Sequence, residues 1–263
     1  MNEFDKTIRI VMPFVLLLLV IFVVAMQLSG LSSSRSPNGT LQPASNSPFA
    51  VPAPSTLYEA SWESQITAVR SGQTDRIEIT RDTIGDAPLL QLKGLDGLRE
   101  LLIEKSQITD DGLAPLTTLR GLEHLRLRGS RIHDGGFKQL CTIASLKLLN
   151  LPQGDLTDDG LEMLPNLRQL ELLRFGSPRV TDNGITQLTK LPKLRAVHLI
   201  DIPVTDASIK TFEGIQTLES LYLDGARISD TGYTELFRLR PSLHVHIDQK
   251  HHDRDPHKGD HVD

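Results

Sequence analysis

The sequence predicts an α/β solenoid, with parallel strands on a concave face, short helices or 3₁₀ segments on a convex face, and one N-terminal transmembrane helix. Three observations carry this. Asp recurs at Asp86, Asp110, Asp134, Asp158, Asp182, Asp206 and Asp230, each 24 residues after the last. Within each unit, apolar residues step first by three and then by two. A separate apolar block, Ile10 to Leu28, stands ahead of the whole series.

Residues 1–9 form the N-terminal flank of that block. From Ile10 to Leu28 only Pro13 and Gln27 are not apolar. As a helix the block spans about 28 Å, close to the roughly 30 Å of hydrocarbon in a bilayer. Lys6 and Arg9 precede it and only Arg35 follows soon after. The excess of positive charge on the N-terminal side puts residues 1–9 in the cytoplasm and the repeats outside, in the periplasm or at the cell surface. A cleaved signal peptide is the competing reading. Met26-Gln27-Leu28-Ser29-Gly30 is a poor cleavage site, which favours an uncleaved anchor, and both readings export the rest of the chain. Residues 29–57 hold eight Ser, five Pro and one charge, Arg35. That composition cannot bury enough apolar surface to fold, so the segment reads as a disordered linker.

Residues 58–76 form an N-terminal cap, with Trp62, Ile66 and Val69 spaced along one face of an amphipathic helix. The solenoid follows over 77–248 as seven 24-residue repeats and a closing strand. Three residues after each Asp stands a large apolar residue: Leu89, Leu113, Phe137, Leu161, Ile185, Ile209 and Tyr233. Steps of three, as in Leu113, Leu116 and Leu119, suit a short helix or 3₁₀ segment. The alternation at Leu125 and Leu127 suits a strand. No single unit can bury its apolar face, and stacked neighbours can. Leu243-x-Val245-x-Ile247 closes the stack after Pro241, where a helix must stop. Residues 249–263 are polar, carrying His251, His252, His257 and His261 among four Asp. Their spacing matches no closed metal site, so they read as a disordered, solvated tail.

The strand motif L-x-x-L-x-L stands at Leu122-x-x-Leu125-x-Leu127 and Leu218-x-x-Leu221-x-Leu223, with Val197 varying it at Leu194-x-x-Val197-x-Leu199. Ile-Thr-Asp-x-Gly-Leu is intact at Ile108 to Leu113 and varied at Val180 to Ile185. These motifs resemble the leucine-rich-repeat family, and in particular its members among bacterial membrane-anchored exported proteins. The resemblance implies a repeat scaffold and leaves its partner open.

The Asp ladder invites a Ca²⁺ reading, but one carboxylate per 24 residues supplies too few oxygens. Thr109, Thr157, Thr181 and Thr205 precede their Asp, so a capping role at the helix start is expected instead. Gly112, Gly136, Gly160, Gly184 and Gly232 are expected to keep the helix start slim where coils meet, with Ser208 the one replacement. Cys141 shares its phase with Thr117, Pro165 and Thr189, which puts it on the helix surface.

Strand phase also defines the concave face. Its central row reads Glu78, Leu102, Arg126, Asn150, Arg174, His198, Tyr222 and His246. Glu104, Arg128, Pro152, Gly176, Ile200, Asp224 and Asp248 flank it on one side. Glu100, His124, Leu148, Leu172, Ala196, Ser220 and His244 flank it on the other. Arg and Tyr are enriched at protein interfaces, so Arg126, Arg128, Asn150, Arg174, His198, Tyr222 and His246 form the expected partner-binding surface, open to solvent. The partner class is another protein. A net charge of −5 and a pI near 6.0 supply no global attraction for nucleic acid. No nucleophile elbow, phosphate loop, dinucleotide fingerprint or zinc-protease motif occurs, so no catalytic residue, cofactor, metal or small-molecule substrate is expected, and the chain reads as a non-enzyme. Two alternatives stand beside this: a structural envelope protein without a specific ligand, and a metal-dependent site at the C-terminal end, where His198, Tyr222, Asp224, His244, His246 and Asp248 gather.

Overall fold

The computed structural model describes residues 60–248 and 250–251. The expected cytoplasmic segment, transmembrane helix and linker lie outside these residues, as does the tail from His252 onward. Among the described residues, no helix is long and apolar enough to cross a membrane.

Helix α1, Trp62–Arg70, opens the described chain, with the Ser61 side chain accepting a hydrogen bond from the Ser64 amide. It buries Trp62, Gln65, Ile66 and Val69, the apolar face expected of the cap. Gln65 does something further. Its side-chain amide donates to the Glu78 carbonyl at 2.8 Å, and its oxygen accepts from the Glu78 amide at 2.7 Å. One glutamine thus occupies edge groups that a sheet otherwise leaves unpaired.

Nine strands follow in one sheet, in chain order. They are β1 Arg76–Ile79, β2 Glu100–Ile103, β3 His124–Leu127, β4 Leu148–Leu151, β5 Leu172–Gly176, β6 Ala196–Ile200, β7 Ser220–Asp224, β8 His244–Ile247 and β9 Lys250–His251. Strands β1 to β8 are parallel, and the paired residues lie 24 positions apart throughout, as in Leu101 with Leu125 and Leu173 with Val197. An unbroken sequence period therefore becomes an unbroken register. The short β9 runs antiparallel to β8. Here the expectation of an unstructured tail from Gln249 fails for two residues, because β8 leaves a free sheet edge that the returning chain can pair.

Between the strands run helical segments of mixed type. The α-helical pieces are α2 Asp86–Leu89, α3 Asp134–Leu140, α4 Asp182–Ile185, α5 Ile209–Gly214 and α6 Asp230–Leu239. The 3₁₀ pieces are Leu90–Leu92, Asp111–Thr118, Asp159–Asn166, Thr186–Lys190 and Asp206–Ser208. One apolar cluster fills the space between these segments and the sheet, running from Trp62 to Val245. Leu101, Leu125, Leu149 and Leu173 form one of its ladders, each fully buried. Each such side chain contributes roughly 1.5–3 kcal/mol through burial.

The helix type decides the fate of Cys141, and it corrects the expected surface position. In the 3₁₀ segments buried residues recur every third position, so Thr117 and Pro165 sit only half-buried. Helix α3 is α-helical and repeats at 3.6, which brings Phe137, Leu140 and Cys141 onto one buried face. Cys141 is 1% exposed, and burial pushes its thiol up to about 12.

The Asp ladder also differs from expectation in its partners. Thr181, Thr205 and Ser229 do cap their own helices. Each Asp from Asp86 to Asp206, however, reaches forward to the next coil. The Asp134 carboxylate accepts from the Thr157 amide at 2.8 Å and from its hydroxyl at 2.6 Å. Asp86 binds Thr109 in the same way, Asp158 binds Thr181, Asp182 binds Thr205, and Asp206 binds Ser229. At Asp110 the partner is His133, which offers only its amide. Both carboxylate oxygens are thus occupied in five of these links, which leaves little for a cation.

The glycines follow from this staple. A Cβ at Gly160 would overlap the Asp134 carboxylate, and Gly112, Gly136, Gly184 and Gly232 meet the Asp of their preceding coil likewise. At the one position with a side chain, Ser208, the hydroxyl donates to Asp182 instead. Coil slimness was expected here; the carboxylate behind it was not.

Candidate functional site

The register places all the expected surface residues on one face. Arg126 pairs with Asn150, Asn150 with Arg174, Arg174 with His198, His198 with Tyr222 and Tyr222 with His246. Arg128 follows β3 at the edge of this row. Leu102 and Tyr222 are buried yet stand outside the apolar cluster, which identifies this face as the one turned away from the core.

The face is less exposed than strand phase alone implies. Arg126, Asn150, His198 and Tyr222 are each 6% exposed, while Arg174 and His246 are half-buried. Parallel strands lie about 4.8 Å apart, so long side chains abreast of one another shade their neighbours. Phase identifies the face, and crowding along the row sets the depth.

The row divides into three parts. At its N-terminal end Arg76 binds Glu78 and Glu100, both at 2.6 Å. These charges compensate one another.

In the centre, Glu104 accepts from Arg126 at 2.8 Å and from Arg128 at 3.0 Å. His124 lies on the neighbouring flank; burial, then the fields of Arg126 and Arg76, lower it to about 4, so it is neutral at pH 7. Arg174 forms no ion pair or hydrogen bond among the described residues. Burial, then the repulsion of Arg128 and Arg126, holds its guanidinium below the ordinary arginine value, against the pull of Asp224 and Glu104. Asn150, between the two arginines, makes no side-chain hydrogen bond among the described residues, and its Oδ1 is buried.

The C-terminal part is aromatic. Tyr222 stacks on His246 with ring centres 4.4 Å apart and tilts toward His198 at 5.4 Å. His198 Nε2 and Asp224 Oδ2 are 2.8 Å apart, and His244 Nε2 lies 2.7 Å from His246 Nε2. Burial lowers His198 more than the Asp224 bond raises it, so the pair is a neutral imidazole donating to a carboxylate. Of the expected C-terminal group only Asp248 stands apart, accepting instead from the Gly225 amide at 2.9 Å.

Glu104 and Asp224 hold this site together; Asp224 was expected beside His198 only in the metal-dependent alternative, and Glu104, as a flanking position, was not expected to bear on the site. The signal was present. Glu104 lies 22 residues before Arg126 and Asp224 lies 26 after His198, offsets that mean adjacent strand and adjacent position in a 24-residue register.

A second charged ladder runs along the sheet edge just before the strands. Arg99 and Lys147 both approach Glu123, and Arg195 binds Glu219. Signs alternate there, so a hollow of about 350 Å³ among Glu171, Pro192, Lys193, Arg195, Thr217 and Glu219 is electrically balanced.

Comparison with protein-family models and with curated proteins finds no match. Among solved structures the chain is similar to an internalin (inlF) from Listeria monocytogenes str. 4b F2365, with 20% identity and a TM-score of 0.47, over 60% of this chain and 51% of that one. It is also similar to internalin C2 (inlC2) from the same strain, with 20% identity and a TM-score of 0.49, over 69% of this chain and 91% of that one. The chain thus spans about half the length of the first of these. These likenesses concern the fold alone. From its own register of parallel strands at 24-residue spacing, backed by helical segments over one apolar core, the chain folds as a leucine-rich-repeat solenoid.

Proposed function

We propose that the chain is a membrane-anchored scaffold that captures another protein on the open face of its sheet, with the repeats outside the cytoplasm. One observation carries the binding part: a continuous in-register row of Arg126, Asn150, Arg174, His198 and Tyr222 turned away from the core. Crowding along the row orders these side chains, while Glu104 holds Arg126, Asp224 holds His198 and His246 stacks on Tyr222. A surface ordered before binding has less conformational entropy to lose on association. Half-buried Leu148, Leu172 and Ile200 on the flanks add apolar area beside the arginines, the mixture typical of interface cores. The anchoring part rests on the apolar run Ile10 to Leu28 and the charges before it.

We read the protein as a binding module and not as an enzyme. Cys141 is buried, with its thiol pushed up to about 12, so it is no nucleophile at neutral pH.

The test is affinity capture from membranes with residues 58–263, comparing the native sequence with a variant carrying Arg126→Ala, Arg174→Ala and Tyr222→Ala. Circular dichroism verifies that the variant is folded. A saturable protein partner lost in the variant is the expected outcome. Equal capture by both discards the open face as the binding surface, and no saturable partner favours the structural envelope reading.

A further inference from the structure

Elsewhere on the described surface, several cations meet a carboxylate one coil away: Arg76 meets Glu100, Lys147 meets Glu123, Arg179 meets Asp155 and Arg195 meets Glu219. The centre of the open face departs from this pattern at Arg174. Three guanidinium groups, those of Arg126, Arg128 and Arg174, face the carboxylate of Glu104, which is spent on the first two. Asp224, the other acid within reach of Arg174, is held by His198.

Polar atoms without partners collect at the same point. Arg126 Nε, Asn150 Oδ1 and Arg174 Nε are all buried without a hydrogen-bond partner among the described residues. Arg126 and Asn150 are each 94% inaccessible, being 6% exposed. Buried polar atoms ordinarily find partners, and two orphaned N–H donors on the strands either side of Asn150 mark a place built for a group that supplies acceptors and negative charge. Asn150 is short and lies between two long side chains, so a small cradle forms over it. Its walls, on β3 and β5, stand roughly 10 Å apart at two strand spacings, a width that brings one group between them within reach of Arg126 Nε and of the Arg174 guanidinium.

We propose that this cradle holds an oxyanion, the carboxylate or phosphate group of a ligand, over Asn150 between Arg126 and Arg174. The assignment deepens the reading of the open face as a binding surface and rests on it. Arg174 supplies a guanidinium without an ion-pair partner among the described residues, Arg126 a donor already oriented by Glu104, and the Asn150 side-chain NH2 a short contact beneath. A planar fork matches two oxygens of one anion, which a lysine at either position does not. Burial, and then the field of Arg174, disfavours protonation of His198 against the pull of Asp224, so a neutral imidazole bounds the cradle on its C-terminal side.

The experiment is isothermal titration calorimetry on the full chain in detergent micelles at pH 7, with sodium phosphate in one arm and sodium acetate in the other, ionic strength being held constant with sodium chloride. Saturable binding of one anion per chain is expected, weakened about tenfold or more by Arg174→Gln. Arg174→Lys, which keeps the charge but loses the fork, falls between the two. Arg195→Gln, at the exposed pair on the sheet edge, leaves affinity unchanged. Thermal unfolding shows that each variant is folded. Binding in both arms identifies any oxyanion, including a protein carboxylate, as the ligand group; binding of phosphate alone identifies a phosphate. No binding in either arm, or equal affinity in Arg174→Gln and the native chain, overturns the proposal. The anion is titrated without any protein partner. Lost partner capture with intact anion binding therefore removes only the protein-binding reading, and the reverse result removes only the oxyanion site.

Discussion

The link between Asp134 and the following coil can be removed by Asp134→Ala, which deletes the acceptor for both the Thr157 amide and the Thr157 hydroxyl. Hydrogen bonds to a charged group contribute roughly 1.5–3 kcal/mol each. The site is half-buried and water replaces part of that, so a loss of about 2–4 kcal/mol is expected. Gly160→Ala attacks the same contact from the other side. Its methyl group overlaps the Asp134 carboxylate. Relieving the overlap costs about 1–3 kcal/mol, against roughly 0.5–1 kcal/mol gained by replacing a helical glycine. Combined, the two substitutions should not add. With Asp134 cut back to Ala, its Cβ lies 3.3 Å from the new methyl, a tight contact that a small shift relieves. The double variant should then be no less stable than Asp134→Ala alone, giving a coupling of about 1–3 kcal/mol. Gly160→Ser should cost less than Gly160→Ala, as Ser208 already donates to Asp182 at the equivalent position. Urea unfolding of residues 58–263, at unchanged denaturant slope, measures the four variants against the native sequence. Additivity within about 0.5 kcal/mol would refute the staple.

Other outcomes follow from the buried groups. His124 titrates near 4 in the folded chain against an ordinary value of 6.5. The unfolded chain therefore binds more protons between those values, and stability should fall by up to about 3 kcal/mol as pH drops from 6.5 to 4. His124→Gln should flatten that slope in urea midpoints measured across pH. Asp206 is held below the usual carboxylate range by the hydroxyl and amide of Ser229. At Asp182, burial works upward but is outweighed by Ser208 and then Thr205. Both carboxylates contribute stability that is full above the ordinary Asp value and disappears as pH falls through their lowered values, so Asp182→Asn and Asp206→Asn should blunt the acid loss below pH 4. The Cys141 thiol, raised to about 12, should react with a disulfide reagent at pH 8 about a thousandfold more slowly in the folded chain than in urea, and equal rates would place it at the surface.

Much of the fold was legible because every repeat has the same length. An unbroken 24-residue period leaves one register for β1 to β8, and strand alternation then assigns Arg126, Asn150, Arg174, His198 and Tyr222 to one face. What escaped was whatever depends on which coil a side chain touches. A Thr-Asp pair reads as a local cap because both residues lie at a helix start, whereas the Asp bonds the Thr 23 residues on. The clue was the glycine 26 residues after each Asp, with Ser208 as its polar substitute. Cys141 escaped because α3 keeps a 3.6 period where Asp111–Thr118 and Asp159–Asn166 adopt a period of three. The depth of the open face escaped because phase gives direction only, while shading depends on the length of each neighbour, as with Asn150 between two arginines.

Site-specific photo-crosslinking tests the binding account most directly. A photoreactive residue replaces Leu172 on the open face in one protein, and Met163, 38% exposed on the helical side, in another. Irradiation on intact membranes should join a partner to the Leu172 position and none to Met163. Crosslinking from Met163 alone would contradict the account and move the binding surface to the opposite side of the solenoid.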